Sequence, residues 1–115
     1  MLKIAVLPIG QVNVDALDFI QCGLGEHFFE GEAYLIQPSM PMPSEAYSSS
    51  RRQYHTTLLL AQMRTHFGNL EPQYILGVTE VDLYAAGLNF VFGEAECPGK
   101  FAIIFYNILF ILALY

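Results

Sequence analysis

The sequence predicts an α/β fold in which a mixed, twisted sheet of five strands carries two helices. Five short apolar runs, bounded by Gly, Pro, Asn or charged residues, have the composition of buried strands. Two longer segments separate the first three runs and repeat apolar residues at helical spacing. Strands that alternate with helices are expected to pair in parallel through crossover connections. No helix separates the last two strands, so at least one of them is expected to be antiparallel.

The first half of the chain predicts a strand, a helix and a second strand. The first strand is KIAVLPIG, residues 3–10, and the second is AYLIQ, residues 33–37. Asn13 is the candidate N-cap of the helix between them, because its side chain can accept a hydrogen bond from a first-turn N–H. Asp15 suits the positive end of the helix dipole. The apolar residues at helical spacing are Val14, Leu17, Ile20, Leu24 and Phe28.

The second half predicts one helix and three strands. Residues 38–50 hold three prolines and five serines and are expected to form an extended surface connection. Ser50 is the candidate N-cap of a helix over 51–67. Its apolar face would include Tyr54, Leu58, Leu60, Met63 and Phe67. The remaining strands are expected at 73–80, 88–93 and 100–105.

Composition and charge exclude several classes of function. The chain has 115 residues, a net charge of −6 and only five basic residues, so a nucleic-acid partner is not expected. Two cysteines, Cys22 and Cys97, are too few for a disulfide framework and favour reduced thiols. The apolar run before Pro8 is shorter than a signal peptide needs. A cytoplasmic location is therefore expected.

Residues 101–115, FAIIFYNILFILALY, carry no charged side chain. As a helix they would span ~22 Å, less than the ~30 Å of a bilayer core. A spanning helix would need residues from before this segment. The apolar surface nevertheless predicts self-association or membrane contact through 101–115.

The candidates for metal binding and acid–base chemistry are weak. His55 and His66 would lie on one helix but ~16 Å apart, too far to share an ion. Cys22 and Glu26 share a helix face, but a lone cysteine there is more often a core residue. Arg51 and Arg52 could grip a carboxylate, or could be solvated. The acidic residues that lie close in sequence are also more often solvated than catalytic: Glu80, Asp82, Glu94 and Glu96.

Residues 76–96, LGVTEVDLYAAGLNFVFGEAE, resemble the archaemetzincins, small zinc-dependent metallopeptidases of the metzincin clan. The matching stretches are Gly77 to Thr79, Asp82 to Tyr84 and Gly87 to Ala95. RRQY at 51–54 is similar to the family's R-x-Q-Y opening of its second helix, and KIAVLPIG to its first strand. The resemblance covers roughly residues 2–104. It implies a metzincin-like upper subdomain with strand order 2-1-3-5-4 and an antiparallel fourth strand.

The resemblance also implies where peptide would bind. The fourth strand of the family is the edge of the sheet and lines the substrate cleft, where peptide pairs with its main chain. Carried over, this substrate-binding edge comprises Leu88, Asn89, Phe90, Val91 and Phe92. The bend that supports the cleft comprises Asp82, Tyr84 and Gly87.

The zinc-binding helix of the family, H-E-x-x-H-x-x-G-x-x-H, does not occur in this sequence. We therefore assign no catalytic residue and no metal ligand, and expect no zinc in this chain. Residues 1–104 form the family-like subdomain, and the tail 105–115 is hypothesised to be the product of a frameshift or a truncated gene model. Two functions are left: the inactive N-terminal portion of a zinc metallopeptidase, or a non-enzymatic module that binds peptide or associates with membranes.

Overall fold

A computed structural model describes residues 2–27, 31–35, 39–70, 74–96 and 99–107. Eight strands, two α-helices and one 3₁₀ turn lie within these ranges. The strands are β1 (Leu2–Pro8), β2 (Gly31–Leu35), β3 (Tyr47–Ser48), β4 (Gln53–His55), β5 (Tyr74–Thr79), β6 (Leu83–Tyr84), β7 (Gly93–Ala95) and β8 (Phe101–Phe105). The helices are α1 (Val14–His27) and α2 (Thr56–Phe67), and the 3₁₀ turn is Ser44–Ala46.

The predicted α/β class is confirmed. Five strands form one sheet in the order β2-β1-β5-β8-β7. Strands β2, β1, β5 and β8 are parallel, and β7 pairs antiparallel with β8. When these five strands are numbered among themselves, the order is the expected 2-1-3-5-4. The fold differs from the prediction in one respect. Strands β3, β4 and β6 form a second, three-stranded sheet that the sequence did not predict.

The start of the second helix is a correction. Residues 51–55 were expected to be helical, but Arg51 and Arg52 form a turn and the next three residues form β4. Arg52 adopts a positive φ of 56°, which a helix cannot accommodate. The N-cap is His55 instead of Ser50, and its Nδ1 accepts a hydrogen bond from the Thr57 N–H at 3.2 Å. The two arginines therefore do not lie at a helix N-terminus.

The first helix begins as expected. The Asn13 side-chain oxygen accepts hydrogen bonds from the backbone N–H groups of Asp15 at 2.8 Å and Ala16 at 3.2 Å. Leu17 is buried, whereas Val14 remains 69% exposed. Cys22 is exposed, so the interpretation of this cysteine as a core residue is wrong. Phe28 lies outside the described residues.

The sheet has a core on each face. On the α2 side, Leu7, Ile75 and Ile103 pack with Leu59 and Met63, and all five are fully or almost fully buried. Gly77 lets α2 approach closely, because a Cβ there would lie 3.0 Å from the Met63 Cε atom. On the other side, Val6 and Val78 pack against Leu17 of α1. The result is a three-layer arrangement of helix, sheet and helix.

The Pro- and Ser-rich connection also contributes to the core. Met40 and Ala46 are buried, and Met40 pairs with Ile9 in a parallel bridge. The part of 38–50 that the structure describes is therefore not purely a surface feature. Neither described helix is long and apolar enough to cross a membrane.

Candidate functional site

Strand β7 is the outer strand of the five-stranded sheet, next to β8. Two backbone hydrogen bonds to β8 flank it: the Phe105 N–H donates to the Phe92 carbonyl at 2.7 Å, and the Glu96 N–H donates to the Phe101 carbonyl at 3.0 Å. In an antiparallel pair, the peptide groups of successive residues point to opposite sides. The N–H and C=O groups of Gly93 and Ala95 are therefore directed away from β8, toward the side of β7 on which no described strand lies, here called the open edge.

The position of the predicted edge strand is wrong. Residues 88–92 were expected to be the strand, but they form a connection that contains a single bridge, between Ala85 and Leu88. Two of their N–H groups have internal partners. The Leu88 N–H donates to the Ala85 carbonyl at 3.0 Å, and the Val91 N–H donates to the Leu83 carbonyl at 3.1 Å. These two N–H groups are therefore used within the chain, whereas the peptide groups of Gly93 and Ala95 point away from β8.

Gln53, a residue that the sequence pattern does not mark as functional, holds this connection in place. Its side chain is 8% exposed. The Nε2 group donates to the Asn89 carbonyl at 2.7 Å and lies 3.3 Å from Asp82 Oδ1 and 3.5 Å from the Leu83 carbonyl. One amide thus joins both ends of the bend that leads to the edge. The R-x-Q-Y motif contains this glutamine, but the motif predicts a helix at a position where the structure has β4.

The predicted bend, Asp82 to Gly87, is attached to the second sheet. Strand β6 pairs in parallel with β4, and the Tyr54 N–H donates to the Asp82 carbonyl at 2.9 Å. Leu83 is fully buried. Gly87 has a φ of 81°, which favours glycine, and it closes the turn before Leu88.

Tyr84 is the centre of an aromatic and cationic cluster. The Arg51 guanidinium carbon lies 4.5 Å from the centre of the Tyr84 ring, and the His55 ring meets it edge-on at 4.8 Å. Arg51 is therefore placed against an aromatic face, and no carboxylate contact is recorded for it among the described residues. This cluster connects the β3–β4 turn to the bend.

Two carboxylates connect the edge strand to α2. Thr57 Oγ1 lies 3.5 Å from a Glu94 carboxylate oxygen, at the start of the helix. Arg64, two turns further on, forms an ion pair with Glu96. Lys100 adds a contact to the end of the helix, since its ammonium donates to the Leu70 carbonyl at 2.6 Å and the Gly68 carbonyl at 3.2 Å. The position of β7 is therefore determined by α2 as well as by β8.

The acidic residues do not form an acid–base pair. Glu80 accepts a hydrogen bond from the Asn13 N–H, Asp82 contacts Gln53, and Glu94 and Glu96 face α2. No group of three His, Cys, Asp or Glu side chains suited to a metal occurs in the part of the chain that the structure describes. The described residues thus assemble no ligand set of the metzincin pattern. Cys97 lies outside the described residues.

The surface beside the edge is apolar. Leu88 is 54% exposed and Phe92 is 55% exposed. The Phe90 ring lies edge-on to Phe92 at 5.0 Å and to Phe105 at 5.5 Å, which fixes this surface against β8. An open main-chain edge flanked by exposed apolar side chains suits an extended peptide, because backbone pairing supplies affinity and side-chain contacts supply selectivity.

Comparison with known proteins finds that this chain is similar to archaemetzincins. The archaemetzincin of Methanocaldococcus jannaschii is 43% identical over 104 residues, which cover 90% of this chain and 54% of the relative. The crystal structure of archaemetzincin from Archaeoglobus fulgidus, complexed with malonate, superposes with a TM-score of 0.74 at 36% identity and covers 90% of this chain and 60% of that one. The structure of the Methanopyrus kandleri archaemetzincin gives a TM-score of 0.70 at 32% identity, covering 90% and 57%.

The chain spans about half the length of the curated relatives it matches. No protein-family model matches it.

Proposed function

We propose that this chain, which is related to the archaemetzincins over about 90% of its length, supplies the peptide-binding wall of a zinc-peptidase cleft and is inactive alone. The observation that carries the proposal is the open edge of β7, where the peptide groups of Gly93 and Ala95 point away from β8. Residues 88–92 therefore keep only part of the peptide-binding role that the resemblance assigns to them. Leu88 and Phe92 supply apolar contacts, and the adjacent strand supplies the hydrogen bonds.

Zinc content and peptidase activity test the part of the proposal that says the chain is inactive alone. The sequence has no H-E-x-x-H, the pattern that provides two histidine ligands and a catalytic glutamate. We expect the purified chain to hold far less than one zinc ion per molecule after exposure to zinc and dialysis, and to cleave no peptide. Stoichiometric zinc together with peptidase activity would refute it.

Peptide binding tests the wall itself. A short soluble peptide of alternating Thr and Val can serve as the probe, because β-branched residues favour extended structure. In ¹H–¹⁵N NMR spectra, we expect the largest shifts at the amides of Gly93 and Ala95. Shifts confined to other surfaces, or no binding at millimolar peptide, would contradict the proposal.

A proline substitution provides the matched control. Ala95→Pro removes an outward N–H and leaves the bonds of Glu94 and Glu96 to β8 in place, so it should abolish binding with little loss of fold. Ala86→Pro should preserve binding, because Ala86 occupies the second position of the turn closed by the Leu88 N–H and Gly87, where proline is favoured. Equal effects of the two prolines would show that the loss was not specific to the edge.

The second candidate, a non-enzymatic peptide-binding module, rests on the same edge. It requires no zinc and no second half. This candidate would be favoured if EDTA leaves peptide binding unchanged and if the peptide affinity matches that of a binding domain with a physiological role.

A further inference from the structure

The side chains of β7 lie on two different faces of the sheet. In the register with β8, Glu94 pairs with Ile103, which is buried on the α2 side. Cross-strand partners share a face of the sheet, and successive residues alternate between the faces. Glu94 therefore lies on the α2 face, where Thr57 contacts its carboxylate. The small residues Gly93 and Ala95 lie on the α1 face.

Glu94 brings a negative charge to the open edge that the chain does not neutralise. Its side chain is half-buried, and its contact with Thr57 Oγ1, at 3.5 Å, is at the limit of a hydrogen bond. Among the described residues Glu94 forms no ion pair, in contrast to Glu96, which pairs with Arg64. All five Lys and Arg residues of the chain lie within the described ranges. No Lys or Arg side chain of the protein therefore neutralises Glu94.

Any strand that pairs with the open edge must place a side chain beside Glu94. The peptide groups of Gly93 and Ala95 point outward, so an antiparallel partner would have a residue opposite Glu94 in a non-hydrogen-bonded pair. In such a pair the Cα atoms are only about 4.5 Å apart, and the two side chains are close together. A hollow of about 300 Å³ follows this strand, and Gly93, Glu94 and Ala95 all line it. The side chains of a paired peptide therefore have room along β7.

We propose that the open edge selects an extended peptide with a basic residue opposite Glu94 and an apolar residue on either side of it. The proposal rests on the peptide-binding role proposed above. Opposite charges in a cross-strand pair are favourable, and like charges are unfavourable. The two flanking peptide residues would lie beside Gly93 and Ala95, whose small side chains leave space for apolar ones on the α1 face. The net charge of −6 adds a general attraction for a basic peptide.

The same carboxylate disfavours a second copy of this chain as the occupant. If two copies paired through β7 about a twofold axis, Glu94 of one copy would lie opposite Glu94 of the other. Like charges in that position are destabilising, and charged side chains on edge strands protect sheets from edge-to-edge association. The open edge therefore discriminates against itself and in favour of a basic partner.

Three capped peptides test the preference in the full chain. They share the sequence Thr-Val-X-Val-Thr with acetyl and amide termini, and X is lysine, glutamine or glutamate. The shifts of the Gly93 and Ala95 amides in ¹H–¹⁵N NMR titrations give the Kd of each peptide. We expect the lysine peptide to bind about two- to five-fold more tightly than the glutamine peptide, as for a partly exposed cross-strand ion pair. The glutamate peptide should bind most weakly.

Two variants separate the local charge from the net charge. Glu94→Gln keeps the size of the side chain and should bring the lysine and glutamine peptides to equal affinity. Asp18→Asn is the matched control, because it removes the same charge from an exposed position of α1, and it should retain the preference for lysine.

The outcomes distinguish this inference from the proposed function. Equal affinities of the lysine and glutamine peptides for the native chain, or a preference that survives Glu94→Gln, would overturn the inference and leave the proposed function intact. Binding of none of the three peptides would refute the proposed function and the preference with it. Shifts of the Gly93 and Ala95 amides that depend on protein concentration without peptide would assign the edge to a second copy and overturn the inference.

Discussion

Replacing Gln53 by methionine tests how the connection between β6 and the open edge is held. Methionine is similar in length and retains the packing, but it removes the Nε2 donor. The contact with the Asn89 carbonyl, at 2.7 Å, is the short one, and those with Asp82 and Leu83 are longer. A typical net hydrogen bond contributes about 0.5–1.5 kcal/mol to stability. Since Asn89 is exposed, water can replace part of the loss. We therefore expect the free energy of unfolding to fall by about 1–2 kcal/mol. This lies toward the lower end of the cost of leaving a buried polar group without a partner.

The assay is urea unfolding followed by circular dichroism, with the midpoint and slope fitted separately. A loss of this size corresponds to a fall in Tm of roughly 5–10 °C for a small domain. Asp82→Asn is the matched control, because it retains a side-chain oxygen 3.3 Å from the amide, and we expect it to cost under about 0.5 kcal/mol. Amide exchange gives a local readout, since the Val91 N–H, bonded to the Leu83 carbonyl, should exchange faster in the methionine variant. Equal stability of the two variants, with unchanged exchange at Val91, would refute the role assigned to Gln53.

Two further substitutions test α2 and its contact with the sheet. Gly77→Ala would place a Cβ 2.7 Å from Ile9 Cδ1 and 3.0 Å from Met63 Cε in a closed core, and we expect a loss of about 1–3 kcal/mol in chemical denaturation. Gly23→Ala is its control, because a Cβ at Gly23 would have no packing neighbour within 4 Å. An alanine inside a helix should stabilise the fold by up to about 1 kcal/mol. If both substitutions destabilise the fold, close packing is not the cause. His55→Ala should cost about 0.5–2 kcal/mol through loss of the N-cap bond to Thr57, and His55→Asn should recover much of it. If asparagine and alanine prove equally destabilising in thermal unfolding, the ring contact with Tyr84 is the more important contribution of His55.

The sequence predicted those elements whose determinants are local. The apolar runs located four of the five strands of the large sheet, and Asn13 marked the start of α1, because an N-cap depends only on the next three residues. The missing helix before β8 predicted that at least one of the last two strands is antiparallel, and the resemblance to the archaemetzincins identified it as the fourth. These features required no knowledge of distant partners.

The errors occurred where distant partners decide the local structure. Residues 53–55 are helical in their apolar spacing, yet they pair with β3 and with β6, which lies about 30 residues later in the chain. Residues 88–92 have the composition of a strand, but their main-chain groups are bonded to Ala85, Leu83 and Gln53. The strand was therefore displaced to Gly93–Ala95, whose Gly and Ala have low strand propensity and are held there by pairing with β8.

The arrangement of β7 next to β8 also sets the order in which the edge can appear during synthesis. Among the strands that the structure describes, β7 has one neighbour, and that neighbour comes later in the chain. Strand β8 in turn pairs with β5, so Phe101 to Phe105 must emerge from the ribosome before either contact can form. Chains grow from the N-terminus at about 5–20 residues per second. A nascent chain that ends before residue 101 would therefore contain the residues of α1, β1 and β5 but lack the ordered β7 edge, so a peptide could not pair with Gly93 and Ala95 at that stage.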